Sequence, residues 1–106
     1  FNVYHAKNPA FGFGKDSKFP EDFELVATVE AENPSEAFYL TNHINASWTK
    51  NEDIVKIYNT NPRSTSVGDV VEDDSGMVEV CMPFGWKALG FNTVDANLIV
   101  PGNLYV

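Results

Sequence analysis

The spacing of apolar residues predicts a half-buried β-strand that begins at Phe23. From this position apolar and polar residues alternate with a period of two, which is typical of a strand with one face in the core. The apolar face comprises Phe23, Leu25, Ala27, Val29 and Ala31. A shorter strand is predicted from Asn2 to Ala6. Residues 7–22 contain Pro, Gly and mixed charges, so we expect a long loop there, with Phe11-Gly12-Phe13-Gly14 as a candidate recognition tip.

The next segment carries the start signals of a helix. Asn33 is a suitable N-cap, Pro34 suits the first helical position, and Glu36 is placed to return a hydrogen bond to the cap. Apolar residues then recur at helical spacing at Ala37, Leu40 and Ile44. The pattern predicts an amphipathic helix of about three turns that ends near Asn45. Residues 51–61 are ambiguous, because a short apolar run is followed by a turn sequence.

A hairpin is predicted around Asp74-Ser75-Gly76. The run Val67 to Val71 leads into this turn, and Val78, Val80 and Met82 alternate with Glu79 and Cys81 after it. A last short strand, interrupted by Pro101-Gly102, is predicted between residues 92 and 106. Together these elements predict one α+β domain over residues 1–106, with a mostly antiparallel, bent sheet of four to six strands and one packed helix.

The charge balance argues against a nucleic-acid interface built on Lys and Arg. The chain has fifteen acidic and seven basic residues, and its formal net charge is −8. The acidic residues are concentrated around residues 21–36 and around the hairpin. They form either an ordinary solvated surface, or a negative surface that meets a basic protein partner or imitates the phosphates of DNA.

Other features restrict the class of protein. One cysteine cannot form an internal disulfide, which predicts a reducing compartment such as the cytoplasm. No apolar run is long enough to span a bilayer, so no membrane partner is predicted. No cofactor or metal site is expected, because His5 and His43 lack a ligand spacing with Cys81 or with paired carboxylates. A Cys81–His43 nucleophile pair is disfavoured, since Cys81 lies in a predicted core strand.

The segment from Arg63 to Asp69 contains the strongest candidate for a binding site. A guanidinium beside three hydroxyls, with a glycine that lets the backbone approach closely, could bind an anion or a partner. The candidate residues are Arg63, Ser64, Thr65, Ser66, Gly68 and Asp69. Alternatively, the hydroxyl groups satisfy backbone groups ahead of the strand.

A second candidate site is a partner-binding surface formed by Asp73, Asp74, Phe84 and Trp86. Aromatic side chains beside Lys87 are common at protein interfaces and at base-stacking platforms. In the alternative interpretation, Phe84 and Trp86 close one end of the core.

The same residues carry a resemblance to small uncharacterised proteins of bacteriophages and mobile elements, including YodL-like domains. The similar pattern is R-S-x-S-V-G-D-V-V followed by F-G-[WF], found here in residues 63–71 and 84–86. A weaker similarity covers Tyr4-His5 and Thr41-Asn42-His43-Ile44. The resemblance implies a bacterial or phage intracellular origin, and it brings no established activity and no catalytic residue.

Three functions are therefore compatible with the sequence. The favoured hypothesis is a non-enzymatic protein-binding module, an accessory protein of a phage or mobile element that engages a host protein through its acidic and aromatic surface. The alternative is a small β-rich domain that binds nucleic acid. The third is a small enzyme with an anion site around Arg63, which a single cleft containing Arg63, Ser64, Ser66 and His43 would favour.

Overall fold

The main feature of the fold is a six-stranded antiparallel sheet. The computed structural model describes residues 1–9, 14–43, 47–95 and 97–105. In chain order the elements are β1 (Asn2–Ala6), β2 (Ser17–Phe19), β3 (Phe23–Val29), α1 (Pro34–Leu40), a 3-10 helix (Trp48–Lys50), β4 (Ile54–Ile57), β5 (Val70–Glu72), β6 (Met77–Cys81), β7 (Trp86–Phe91) and β8 (Leu98–Val100). The main sheet has the order β4-β3-β1-β5-β6-β7, and β2 pairs with β8 in a second sheet. This architecture confirms the predicted α+β class.

The central strands of the main sheet carry buried residues on both faces. Neighbouring residues of β5 show this, because Val70 and Val71 belong to different core clusters. The cluster beneath α1 and the 3-10 helix contains Val3, Val26, Ala27, Val29, Ala37, Trp48 and Val71. The cluster beneath the β2–β8 sheet contains Phe19, Phe23, Val70, Val78, Val80, Val100 and Leu104. The main sheet is therefore the central layer between the helices on one side and the small sheet on the other.

The prediction that the apolar residues of β3 lie on one face was wrong, because the strand contains a β-bulge at Val26. Val3 of β1 pairs with Ala27 and Tyr4 pairs with Leu25, so Val26 is an extra residue in the register. An inserted residue moves the side chains that follow it to the other face of the sheet. Phe23 accordingly packs beneath the β2–β8 sheet, whereas Ala27 and Val29 pack beneath α1.

Helix α1 begins as predicted and ends earlier than predicted. The Asn33 side chain accepts a hydrogen bond from the Glu36 N–H (2.8 Å), which confirms the N-cap. Glu36 accepts from the backbone N–H of Glu32 (3.4 Å) rather than from that of the cap residue. The helix ends at Leu40, because the Thr41 N–H bonds to the Phe38 carbonyl (3.2 Å) and stops the regular pattern. The predicted end near Asn45 was wrong, and Ile44 and Asn45 lie outside the described residues.

Replacement of Asn33 by alanine should destabilise the fold by about 1 kcal/mol, because the Glu36 N–H loses its acceptor. Chemical denaturation monitored by circular dichroism measures this loss. Asn33→Asp is the matched control, since a carboxylate can still accept the bond and should keep most of the stability. Equal destabilisation by both variants would contradict the capping role.

Two strands appear where the sequence pattern did not predict them. Strand β2 lies within the predicted loop 7–22 and is only three residues long. Strand β7 follows the predicted hairpin and lacks regular alternation of apolar and polar residues. The hairpin of β5 and β6 is confirmed, with Gly76 at a φ of 87° in its turn. The ambiguous residues 51–61 contain β4, and the candidate tip at Phe11–Phe13 lies outside the described residues.

Candidate functional site

The residues from Tyr58 to Asp69, here called the crossover segment, connect two strands that are not neighbours in the sheet. Strand β4 lies at one edge, and β3 and β1 separate it from β5. The connection must therefore pass β3 and β1 before the chain enters β5. Backbone groups in such a connection need hydrogen-bond partners wherever the segment is buried. The candidate anion site lies within this crossover segment.

Arg63 and Asp69 form a bidentate ion pair inside the crossover segment. The two guanidinium nitrogens donate to Asp69 Oδ2 (2.6 Å) and Oδ1 (2.8 Å). Asp69 Oδ1 also accepts from the Ala6 N–H (2.8 Å), and Oδ2 accepts from the Ser66 N–H (2.8 Å). Only 1% of the Asp69 side chain is exposed, against 29% of Arg63. The pair therefore ties the crossover segment to the end of β1.

Thr65 is the centre of a buried chain of hydrogen bonds. Its hydroxyl lies 2.9 Å from His5 Nε2 and 2.7 Å from Thr41 Oγ1, and Thr41 Oγ1 donates to the Ala37 carbonyl (2.8 Å). Because the Thr41 proton points to a carbonyl, Thr65 must donate to Thr41, and His5 Nε2 must donate to Thr65. The network thus assigns the Nε2–H tautomer to His5 and links β1, the crossover segment and α1.

His5 is held neutral by its surroundings. Burial lowers its pKa from 6.5 to about 4, the nearby Asp69 carboxylate raises it, and the Arg63 guanidinium lowers it. Its ring also packs edge-on toward Trp48, with 6.5 Å between the ring centres. The imidazole therefore acts at neutral pH as an uncharged hydrogen-bond donor.

The remaining residues of the candidate anion site also bond within the protein. Ser64 Oγ accepts from the His43 N–H (2.9 Å), and Ser66 Oγ donates to the Ser64 carbonyl (3.4 Å). Gly68 adopts a φ of 93° in the turn closed by the Asp69 N–H and the Ser66 carbonyl (3.0 Å). All six candidate residues lie together, and their hydrogen bonds within the protein stabilise the crossover segment.

Ser64 and His43 are in contact, but the groups considered for catalysis are not arranged as a nucleophile and its base. His43 Nε2 lies 3.0 Å from the Pro62 carbonyl, and Nδ1 accepts from the Trp48 N–H (3.1 Å). The hydroxyl of Ser64 thus meets the backbone of His43 rather than its imidazole. Burial, with a smaller contribution from Asp69, raises the pKa of the Cys81 thiol to about 11. Cys81 is consequently a protonated core thiol at neutral pH.

The four residues of the predicted partner surface lie at two ends of the main sheet. Asp73 and Asp74 are in the turn before β6, whereas Phe84 and Trp86 lie in and after the turn that follows it. Strand β6 has five residues, which separates the two turns by roughly 17 Å. Phe84 is 97% exposed, while Trp86 is partly buried and packs against the helix-side core. These four residues are therefore not one contiguous surface.

The two aspartates differ in their roles. Asp73 Oδ1 accepts from the Ser75 hydroxyl (2.6 Å), the Ser75 N–H (2.9 Å) and the Met77 N–H (3.0 Å). These bonds, led by that from the Ser75 hydroxyl, lower the pKa of Asp73. Asp73 thus shapes the turn, whereas Asp74 is exposed.

A groove at the Asp74 end of the sheet joins two acidic segments that are distant in sequence. Its volume is about 370 Å³, and one wall is the β3–α1 connection with Glu30 and Glu32. The other wall is the β5–β6 turn with Asp73 and Asp74. We call this surface, lined by Phe1, Val29, Glu30, Ala31, Glu32, Asp73, Asp74 and Ser75, the acidic groove.

Both acidic segments are evident in the sequence, but their proximity in the fold is not. The link is the register of β1, because Asn2 pairs with Thr28 on one side and with Glu72 on the other. The residues that follow Thr28 and Glu72 therefore leave the sheet at the same end. That register depends on non-local strand pairing, which periodicity along the chain does not reveal.

Several further observations bear on the class of site. No group of three or more His, Cys, Asp or Glu side chains could hold a metal ion among the residues that the structure describes. Within the same residues, no helix has the length and apolar character needed to cross a membrane. Comparisons with known protein families, with curated proteins and with solved structures found no match to this chain.

Proposed function

We propose that this chain is a non-enzymatic protein-binding module whose acidic groove takes a basic segment of its partner. The observation that carries the proposal is the convergence of two sequence-distant acidic segments on opposite walls of one groove. Glu30, Glu32 and Asp74 are exposed there, and no Lys or Arg side chain is among the described residues that line the groove. Complementary charge would steer and orient a Lys- or Arg-rich segment.

The biological setting is part of the same proposal. The similarity of residues 63–71 and 84–86 to YodL-like proteins of phages and mobile elements supports an accessory protein that engages a host protein. The crossover segment explains why such a pattern can be independent of activity. Its Arg63–Asp69 pair and its Ser66–Asp69 turn stabilise the crossover segment, so residues 63–69 of the pattern have a structural role.

One observation favours the nucleic-acid alternative. Phe84 is almost fully exposed and Lys87 is exposed nearby in the chain, a pairing suited to base stacking beside a phosphate. Two observations oppose it, since the net charge is −8 and the guanidinium of Arg63 is engaged with Asp69. The protein-binding function is therefore the better supported of the two.

The test reverses one charge on each wall of the acidic groove. The Glu32→Lys, Asp74→Lys double variant should bind a short Lys/Arg peptide at least about tenfold more weakly than the wild type does, because it loses two attractions and gains two repulsions. Wild-type binding should weaken as salt is added. Fluorescence anisotropy with a labelled peptide measures both effects. When bacterial lysate is passed over the immobilised wild type, it should capture a basic protein whether or not nuclease is added. The same double variant should not capture that protein.

The matched control is the Glu21→Lys, Glu24→Lys double variant, whose exposed positions lie near the opposite end of β3. Each Glu or Asp to Lys change adds two charges to −8, so both doubles carry −4. If the control loses binding as fully as the groove variant, net charge rather than the groove is responsible. Capture that disappears with nuclease would instead support the nucleic-acid alternative.

A further inference from the structure

Phe84 is an apolar side chain that lies almost wholly in solvent, with 97% of its surface exposed. It occupies the turn between β6 and β7, which the Met82 N–H closes by donating to the Gly85 carbonyl (3.0 Å). Gly85 has a φ of 81°, a conformation that favours glycine. The backbone of the turn therefore holds the phenyl ring outward, and the described part of the fold buries almost none of it.

An apolar pocket lies beside the same turn. It has a volume of about 250 Å³ and lies between α1, which contributes Ser35 and Phe38, and the turn with Met82, Pro83 and Trp86. An apolar cavity of about 150 Å³ is sufficient to hold a benzene molecule, so this pocket has room for a phenyl ring. Phe84 is not among the residues that line it.

We propose that this face forms a two-fold homodimer in which Phe84 of each copy enters the pocket of the other. A two-fold interface uses the same patch on both copies, so its anchor and its receiving pocket must lie side by side on one surface. Phe84 and the pocket meet this requirement, because Met82, Pro83 and Gly85 of the Phe84 turn also line the pocket. Exposed residues of opposite charge are sequence neighbours of the two parts, since Lys87 follows Trp86 and Glu36 follows Ser35.

The area involved predicts a weak dimer. Two buried phenyl rings contribute roughly 150–250 Å² each, which with their pocket walls gives an interface below the ~1,200 Å² of standard complexes. Each copy also carries a net charge of −8, so mutual repulsion opposes association. Added salt should screen this repulsion and strengthen the dimer.

Sedimentation equilibrium from micromolar to millimolar protein tests the proposal. The wild-type mass should rise from that of a monomer toward that of a dimer, and Phe84→Asp should weaken dimerisation at least about tenfold. Val94→Asp is the control, since Val94 is also fully exposed and the change in charge is identical. Tryptophan emission should shift with concentration, because Trp86 lines the pocket whereas Trp48 is buried.

Three results would overturn the dimer. The wild type could stay monomeric throughout, Phe84→Asp could dimerise as Val94→Asp does, or the mass could double with no change in tryptophan emission. Phe84 is so exposed that its substitution should leave the fold intact, which thermal unfolding can verify. The acidic groove lies at the other end of the sheet, so the dimer and the proposed function succeed or fail separately.

Discussion

Asp69→Ala is expected to destabilise the protein by about 3 kcal/mol, a large part of the 5–15 kcal/mol that stabilises a typical domain. The change would leave the Arg63 guanidinium and the N–H groups of Ala6 and Ser66 without the carboxylate to which they donate. Removing one partner of a buried pair costs more than the pair contributes, because the remaining groups stay desolvated. The estimate lies at the low end of the usual range, since 29% of Arg63 remains exposed.

Urea denaturation measures this loss, and two further variants define its cause. Asp69→Asn keeps the shape of the side chain but places an amide donor against N–H groups that need an acceptor, so it should also be strongly destabilising. Asp74→Ala, in the exposed part of the hairpin turn, should change stability by less than about 0.5 kcal/mol. If Asp69→Asn were as stable as the wild type, the ion pair would not be what holds the crossover segment.

The elements that sequence predicted best are those with local signals. The cap at Asn33 needs only residues within three positions of it, and the β5–β6 turn needs only its glycine and the flanking apolar residues. The end of α1 was misjudged because Ile44 continues the helical spacing, whereas the observed helix stops with the Thr41 N–H bonded to the Phe38 carbonyl. The spacing of apolar residues does not reveal where the backbone hydrogen bonds leave the helical pattern.

The hydrogen-bond partners of the candidate site could not be predicted from the sequence, for a related reason. The sequence identifies Arg63 and the hydroxyl residues as unusual, and they are indeed concentrated in one place. Their partners, however, are His5, Thr41 and Ala6, which only the strand order brings near. Polar residues that a sequence pattern suggests for ligand binding can instead supply the hydrogen bonds that a buried connection needs.

The two ends of the main sheet should respond to salt in opposite directions. Binding of a basic segment in the acidic groove depends on attraction and weakens with salt, whereas self-association through Phe84 is opposed by the net charge of −8. A salt titration of each process thus separates the two surfaces without any substitution. It also separates both from the crossover segment, whose Asp69 carboxylate is buried and therefore little screened.

Acidification is expected to weaken the fold through His5. In the folded protein the pKa of His5 is lowered to about 4, against 6.5 for an unperturbed side chain. The unfolded chain therefore binds the extra proton more readily, and stability falls as the pH drops from about 6.5 toward 4. A difference of this size corresponds to roughly 3 kcal/mol lost across the window. Above pH 6.5 both states are neutral at this position, so His5 adds no pH dependence there.

The His5→Gln variant isolates this contribution. A glutamine amide can place an N–H near the position of Nε2 and donate to Thr65, yet it does not titrate. Free energies of unfolding measured at several pH values should fall about 3 kcal/mol less in the variant than in the wild type between pH 7 and pH 4. Imidazole chemical shifts should show His5 uncharged at pH 5. The pKa of His5 is lowered first by burial and then by Arg63. If the wild type had the same pH profile as His5→Gln, the imidazole would be hydrated rather than enclosed by the crossover segment and Trp48.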